Sequence, residues 1–294
     1  MKTPFAWLLY VLGVTRFAAW WHRKDVVILN YHGIGAAEDD HTDPNLLDLS
    51  VSLESFHLQI AYLRRRHRVI SLREFLSANA SGTQLPDYSV VLTFDDGYRS
   101  FLEVAPILLN DGLPATLFLV TEMMRNGQAH TESSNHADRL SWTEVRTLDQ
   151  HDIFDFGSHT CSHPSLPNLT PEDVDHELRV SLNEIRCHVK NVMPALAYPN
   201  GAYSGISVES VTAAGYTCGL TINPGPNKIG TSPYFLQRQT IRGKDDIQMF
   251  AARLSCLTHW LYGSRFLTSR FLSLIASWFK VGAASDKRVT RLPE

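Results

Sequence analysis

The chain has 294 residues, which is enough for one large α/β domain with a sizeable core. Its formal net charge of −3 gives no indication of a nucleic-acid partner, and a charged content of 19% is ordinary for a folded protein. The four cysteines (Cys161, Cys187, Cys218 and Cys256) show neither CxxC pairing nor zinc-finger spacing, so we expect reduced thiols.

An apolar segment at the N-terminus is the first feature in chain order. Residues 3–15 carry no charge, Arg16 then interrupts, and Trp20 and Trp21 stand where the small residues of a signal-peptide cleavage site would be expected. A helix that spans a bilayer needs about 20 apolar residues, and an arginine within it is costly. We therefore predict that residues 1–25 form a helix lying in a membrane surface, with a helix packed on the domain as the alternative.

Strand and helix patterns alternate through the middle of the chain. The predicted strands are VVILNY, RVIS, SVVLTF, PATLFLV, DIFDFGS, PALAYP, YTCGLTI and FLQRQTI, and helical patterns separate most of them. A capping box at Ser141 and Glu144 marks the start of one helix. The alternation implies a parallel sheet with helices outside it, and seven or eight strands favour a nearly closed barrel. The predicted fold is therefore α/β, a distorted (β/α)7-type barrel over residues 26–245.

The C-terminal segment, residues 246–294, reads as an amphipathic helical region. One predicted helix face carries Leu267, Phe271, Leu274, Ile275 and Trp278. Five of the six tryptophans lie in the two terminal segments, and tryptophan favours the membrane–water interface. We therefore expect peripheral membrane contact through the terminal helices. The cytoplasmic face is favoured over the periplasmic or extracellular side, because no convincing cleavage site is present.

Residues with catalytic or metal-binding chemistry stand at the ends of several predicted strands. His32 follows the first strand, Asp95 and Asp96 follow the third, and His159 and His163 follow the fifth. The C-terminal ends of the strands meet at one face of a parallel barrel, which is where such barrels carry out chemistry. The order of these residues therefore predicts one shared site.

The adjacent carboxylates of Asp95 and Asp96 raise each other's pKa and resist burial unless a cation lies between them. His159 and His163 are the only pair four residues apart among the 13 histidines. Two histidines and one carboxylate form a common zinc-type donor set that leaves positions open for water. We expect one aspartate to bind metal and the other to act nearby as a base. Considered separately, the aspartates could form a solvated turn, the histidine pair could be incidental, and His32 could be an ordinary strand-end residue.

Several short motifs at these strand ends resemble those of a known family. TFDDG, SHTCSHP and AYPNG resemble the first three motifs of the polysaccharide deacetylase family, the NodB-like esterases and amidases. The early NYHGIG segment resembles the start of the poly-N-acetylglucosamine deacetylase branch, in which a histidine motif precedes the aspartate motif. The resemblance covers residues 26–242 and implies a distorted barrel of about seven βα units.

The resemblance also implies a role for each matching residue. Asp95 corresponds to the general base, Asp96 to a metal ligand, and His159 and His163 to the two histidine ligands. His32 would protonate the departing amine. The implied cofactor is a divalent metal, with Zn²⁺ expected. The implied reaction removes an acetyl group from an N-acetylated sugar in a glycan or glycolipid.

The third motif departs from the family pattern. Ala197 stands where the family has arginine, and Asn200 where it has tyrosine. The arginine orients the base, so we take Arg238 on the last predicted strand as its replacement, with an ordinary surface salt bridge as the alternative. Tyr198, Pro199 and Asn200 are predicted to contact substrate, with a backbone N–H near Asn200 for the oxyanion. The altered motif leaves open a glycan-binding protein without turnover. A deformylase or an O-deacetylase would use the same constellation.

Overall fold

The computed structural model describes residues 3–35, 48–124, 139–203 and 205–257. The N-terminal segment forms two helices rather than the single predicted one. Helix α1 covers Thr3–Val11 and α2 covers Val14–Trp21. They are separated at Gly13, whose φ of 75° lies in the left-handed region that glycine adopts at little cost.

Eight parallel strands form the core of the molecule, and their positions confirm the predicted alternation. They are β1 (Val27–Tyr31), β2 (Arg68–Ile70), β3 (Ser89–Phe94), β4 (Ala115–Leu119), β5 (Phe154–Ser158), β6 (Val192–Ala197), β7 (Cys218–Leu220) and β8 (Arg238–Thr240). The remaining described helices are α3 (Leu53–Arg66), α4 (Leu72–Ser81), α5 (Phe101–Asp111), α6 (Thr121–Met124), α7 (Trp142–Leu148), α8 (Pro171–His188), α9 (Gly205–Ala213) and α10 (Ile247–Leu254).

The sheet is a nearly closed barrel of seven strands, as predicted. Its strand order is β7-β6-β5-β4-β3-β1-β8, and a parallel bridge between Leu220 and Leu236 brings the two ends of this order together. Strand β2 lies off the path and pairs with Ser89–Val91 of β3. Strand β4 pairs with Leu92–Phe94. Strand β1 occupies one edge of β3. At the other edge of β3, β2 therefore pairs with the first half of the strand and β4 with the second half.

Short polar side chains cap the N-termini of several described helices. The hydroxyls of Ser52, Ser71 and Thr170 each accept a hydrogen bond from a backbone N–H in the first turn of α3, α4 and α8. The capping box predicted at Ser141 and Glu144 is confirmed at the start of α7. These caps satisfy donors that have no partner within the helix, so the local sequence sets where each helix begins.

Side chains alternate between the inside and the outside of the barrel. In β3, Val91 packs in the interior cluster, whereas Leu92 and Phe94 pack outward against the helices. In β1, Ile28 faces inward while Leu29 faces outward. The same alternation of side chains continues just beyond the strand ends. Residues 32, 95 and 159 therefore point inward, like the inward-facing residues of β1, β3 and β5. The mouth of the barrel therefore collects polar side chains from separate strands.

The terminal segments contact each other at the opposite end of the barrel. Helix α1 packs on α10, and α10 also contacts α2 and α3. None of the described helices has the length and apolar character needed to cross a bilayer. The predicted amphipathic region beyond α10 lies outside the described residues, apart from its first residues up to 257. The division into residues 1–25, 26–245 and 246–294 stays a prediction.

Candidate metal centre and active site

The structure brings Asp96, His159 and His163 together at the mouth of the barrel. Oδ1 of Asp96 lies 3.5 Å from Nε2 of His159 and 3.7 Å from Nε2 of His163. The three ligand atoms all lie within 4.8 Å of one another, and this is the one such group among the described residues. Two ligands of a tetrahedral zinc ion, each bonded at about 2.0–2.1 Å, lie roughly 3.3 Å apart. The observed spacing therefore fits a zinc-type ion.

The hydrogen bond of His159 fixes which of its ring nitrogens is free. Nδ1 lies 2.7 Å from the carbonyl oxygen of Ala197, which can only accept, so Nδ1 carries the proton. In the neutral imidazole, Nε2 then directs a lone pair toward the carboxylates of Asp96 and Asp95, at 3.5 and 4.0 Å. A lone pair facing two carboxylates is unfavourable unless a cation lies between them. The donor set of this site fits a bound metal ion.

Left-handed backbone conformations shape the loops that carry these ligands. Asp96, Thr160 and His163 have φ values of 67°, 68° and 64°, which are uncommon for residues other than glycine. Asn200 at the third motif has a φ of 55°. Such conformations persist only where the surrounding structure holds them, and they concentrate at functional sites.

Glu177 of α8 holds the loop between the two histidines. One of its oxygens accepts hydrogen bonds from the backbone N–H groups of Cys161 and Ser162, at 2.8 and 2.9 Å. The other accepts a hydrogen bond from the Ser162 hydroxyl at 2.7 Å. Within the loop, the Thr160 hydroxyl accepts a hydrogen bond from the N–H of His163. This buried carboxylate therefore fixes the backbone on which both imidazoles depend.

Asp95 borders the histidines and pairs with Arg238. Nη1 and Nη2 of Arg238 donate to the two carboxylate oxygens at 2.7 and 2.8 Å, in a bidentate pair that is almost fully buried. The Nε of Arg238 donates to the carbonyl oxygen of Thr221. Burial alone would raise the pKa of Asp95, but Arg238, and after it His159, outweigh burial and hold this pKa well below its usual range. Asp95 is therefore ionised and oriented.

His32 lies beside the two aspartates at the mouth of the barrel. Burial lowers its pKa below the ordinary value, while the nearby carboxylates of Asp95 and Asp96 act in the opposite direction. Its Nδ1 is buried without a hydrogen-bond partner among the described residues. A buried polar atom without a partner is uncommon in a folded protein, which makes His32 a candidate to contact a bound molecule.

The predicted substrate residues of the third motif differ in their exposure. Tyr198 is fully buried, and its hydroxyl donates to the carbonyl oxygen of Tyr234 at 3.1 Å. Pro199 is also buried, whereas Asn200 is exposed. Ala197, which stands where arginine was expected, contributes the carbonyl oxygen that orients His159. The motif therefore supports the histidine through its backbone and offers only the Asn200 side chain to solvent.

Sequence reasoning missed two side chains around the site. Glu177 could have been found, because it is a charged residue on the helix face that also carries Val174, Leu178 and Ser181. The second is Tyr98, whose ring lies 3.8 Å from the Arg139 guanidinium. Burial, and next the charge of Asp96, raises the pKa of Tyr98 to about 12.

Known proteins share the sequence motifs at these strand ends and the barrel fold. Residues 82–219 match the family model described as polysaccharide deacetylase. This segment of the chain is similar to a polysaccharide deacetylase domain. The resemblance stated on the sequence motifs is therefore confirmed, and so is the expectation of an enzyme of this type.

Proteins similar to this chain come from several bacteria. YxkH of Bacillus subtilis, a polysaccharide deacetylase by name, is 24% identical over 72% of this chain and 69% of its own length. The poly-beta-1,6-N-acetyl-D-glucosamine N-deacetylase of Escherichia coli K12 is 26% identical over 70% of this chain, but the match spans only 35% of that enzyme. The structure of the Streptococcus pyogenes deacetylase PplD in complex with acetate has a TM-score of 0.67 at 23% identity. It covers 78% of this chain and 98% of that one, and it supports the fold.

Proposed function

We propose that the protein is a zinc-dependent N-deacetylase that hydrolyses the acetamide of an N-acetylated sugar in a glycan or lipid-linked saccharide. The observation that carries the proposal is the grouping of Asp96, His159 and His163, with the His159 lone pair directed at the carboxylate. Three ligands leave a fourth position open in a tetrahedral zinc site, and catalytic zinc sites keep such a position.

Asp96, His159 and His163 would hold the ion. When bound, the metal lowers the pKa of a water molecule and polarises the acetamide carbonyl. The carbonyl of Ala197 keeps the His159 lone pair directed at the ion, and Glu177 keeps the loop in register. The fold would thus supply both the ligands and their supporting hydrogen bonds.

Asp95 is proposed to remove a proton from the attacking water. Its Oδ2 lies 4.0 Å from Nε2 of His159, so it borders the metal position without belonging to the ligand group. The bidentate bond from Arg238 fixes the orientation of the carboxylate and keeps it ionised at neutral pH. A general base must be both unprotonated and correctly directed; Arg238 supports both requirements, while its charge also weakens the carboxylate as a base.

His32 is proposed to donate a proton to the leaving nitrogen. Attack by hydroxide forms the new C–O bond, and the C–N bond breaks as the nitrogen takes the proton of the imidazolium. The proton that Asp95 took from water can then restore His32. The products are a free amine and acetic acid, which releases its proton to become acetate, and one water molecule is consumed. An amine is a poor leaving group unless it is protonated, so this reaction needs an acid as well as a base.

The substrate class follows from the relatives and from the open mouth of the barrel. The E. coli relative is named for a polymer of N-acetylglucosamine. His163 of the ligand group is partly exposed, so the acetamide of a chain segment could reach the metal position from solvent. We therefore propose an N-acetylated hexosamine within an oligosaccharide, either free or linked to lipid.

The test is acetate release by the purified protein from a panel of N-acetylated oligosaccharides and lipid-linked sugars. It is run after removal of metal and again after addition of zinc, with Asp95→Asn as the control variant. We expect zinc-restored release that the variant lacks. If the protein binds one zinc per chain but releases acetate from no amide, an O-acetyl ester and an N-formyl sugar are tried next. Glycan binding without any acyl release would refute the deacetylase and favour a binding protein.

A further inference from the structure

A cavity lies at the end of the barrel opposite the metal centre. It measures about 250 Å³ and lies between α2, α3 and α10. Its lining includes Thr15, Arg16, Tyr62, Arg66, His67 and Tyr88. His67 and Tyr88 directly precede β2 and β3, so the cavity borders the N-terminal ends of the strands. A strand the length of β3 spans about 20 Å, and this separates the cavity from the catalytic mouth.

Two buried polar atoms on the wall of this cavity have no partner among the described residues. Thr15 is only 3% exposed, and its hydroxyl makes no hydrogen bond. A threonine within a helix commonly satisfies its hydroxyl at the carbonyl one turn earlier, but this one does not. Nδ1 of His67 is likewise buried and unpartnered. Buried groups of this kind are normally paired, so both atoms indicate that a ligand completes the site.

The charge of the cavity identifies the class of ligand. Arg16 and Arg66 both line it, and neither forms an ion pair with a carboxylate of the described segments. The Arg66 guanidinium lies 5.6 Å from the Tyr62 ring centroid. Burial, and then the charge of Arg66, lowers the pKa of His67 to about 4, so the imidazole is neutral at physiological pH. Two guanidinium groups with a hydroxyl and an imidazole are the groups that recognise a phosphate.

The surface beside the cavity carries most of the exposed apolar side chains. Eleven large hydrophobic residues of the described segments are exposed, and seven of them lie between residues 7 and 21. They are Trp7, Leu8, Val11, Leu12, Phe17, Trp20 and Trp21. Tryptophan and phenylalanine on a short helix next to basic residues are typical of a segment that lies in the headgroup region of a bilayer. A soluble phosphate compound would leave this surface exposed to water.

We propose that this cavity binds the phosphate of an anionic phospholipid headgroup while the exposed faces of α1 and α2 enter the boundary between headgroups and acyl chains. Arg16 lies on α2 and Arg66 at the end of α3, so a headgroup between them would join the inserted helix to the barrel. The catalytic mouth then faces away from the bilayer. This proposal concerns the opposite end of the barrel and does not depend on the proposed deacetylase activity.

The test is co-sedimentation of the full-length protein with two kinds of vesicle. One contains phosphatidylcholine alone, and the other contains four parts phosphatidylcholine to one part phosphatidylglycerol. The variant Arg16→Ala/Arg66→Ala removes both charges from the cavity. The matched control, Arg65→Ala/Arg68→Ala, removes two neighbouring charges that do not line it. Each basic residue near an anionic surface contributes roughly a fivefold change in affinity, so the cavity variant should bind anionic vesicles about thirtyfold more weakly.

Several outcomes distinguish a built headgroup site from simpler explanations. The control variant should lose less than about fivefold, since its charges lie outside the cavity. Equal losses in the two variants would mean diffuse electrostatic attraction and would overturn the cavity as a binding site. Thr15→Val should weaken anionic-vesicle binding while leaving binding to neutral vesicles unchanged. Phe17→Ala/Trp21→Ala should reduce binding to both vesicle types, whereas the exposed Leu58→Ala on α3 should not. Stabilisation by soluble glycerol phosphate without any vesicle binding would also refute the lipid.

Discussion

Replacing Arg238 with methionine removes the guanidinium group that faces Asp95 and keeps an unbranched side chain in its place. Arg238 and Asp95 have side-chain exposures of 0% and 2%, so solvent cannot replace the lost charge. Removing one partner of a buried ion pair costs about 3–5 kcal/mol. At roughly 2–4 °C per kcal/mol for a protein of this size, the melting temperature should fall by about 10 °C.

The assay is denaturant unfolding at several pH values, with the double variant Arg238→Met/Asp95→Asn and the control Arg242→Met. Asp95 has a depressed pKa in the folded protein, so its pairing stabilises the wild type above the unfolded pKa of about 3.9 and is lost as pH falls further. The deficit of Arg238→Met should therefore be largest near neutral pH and shrink in acid. The double variant should recover most of the stability, because it leaves no buried charge. Arg242 is partly exposed and pairs with Asp48, so its replacement should cost less than about 1 kcal/mol. A loss below about 1 kcal/mol in Arg238→Met at neutral pH would refute the reasoning.

Three further predictions concern the loop, the second cavity and the barrel wall. Glu177→Ala should weaken zinc binding about 10- to 100-fold, because Glu177 holds the loop between the two histidines. Glu177→Gln should retain much of the zinc affinity, and the control Glu172→Gln, at an exposed position, should not change it. Equal zinc affinities in titrations of all three variants would contradict this prediction. The pKa of His67 is lowered to about 4, so the unfolded chain binds more protons between pH 6.5 and 4 and stability should fall by up to about 3 kcal/mol as pH drops through that range. Unfolding of His67→Gln should lack this part of the slope, and an unchanged slope would exclude His67 as its source. Gly157→Ala should lower the free energy of unfolding by about 1–3 kcal/mol, because the added Cβ would lie 2.6 Å from the Phe118 ring and 3.0 Å from a backbone oxygen. An unchanged melting temperature would mean that the neighbouring strands move to accommodate the methyl group.

Much of the site could be predicted from the sequence, because side chains along each strand alternate between the inside and the outside of the barrel. His32, Asp95 and His159 each continue the inward side of a strand whose apolar pattern is easy to read. The parallel order then brings the strand ends to one face of the barrel. Arg238 was also placed on the last strand, but its two bonds to Asp95 join residues 143 positions apart and depend on β8 lying beside β1.

Other features depend on packing that no local pattern encodes. The break between α1 and α2 required the left-handed conformation of Gly13, although nothing near that residue forces a glycine by close contact. The cavity below the barrel joins Thr15, Tyr62 and Leu254, which lie in three separate parts of the chain. Glu177 acts on the histidine loop only because α8 packs against β5. Such sites are created by tertiary contacts, so a single sequence shows their components without showing that they meet.

The adjacent aspartates show how one turn can give two neighbouring carboxylates different surroundings. Asp95 still follows the strand, since its N–H donates to the carbonyl oxygen of Tyr31 and its side chain points into the barrel. Asp96 has a left-handed φ of 67°, which redirects the next carboxylate toward the histidines. Gly97 continues the turn with a φ of 62°, and a Cβ there would lie 2.7 Å from Met124. One carboxylate is therefore neutralised by a buried arginine, while the other is left facing two imidazoles. Exchanging the order of their surroundings would require a different turn, so the two aspartates are not interchangeable even though they are chemically identical.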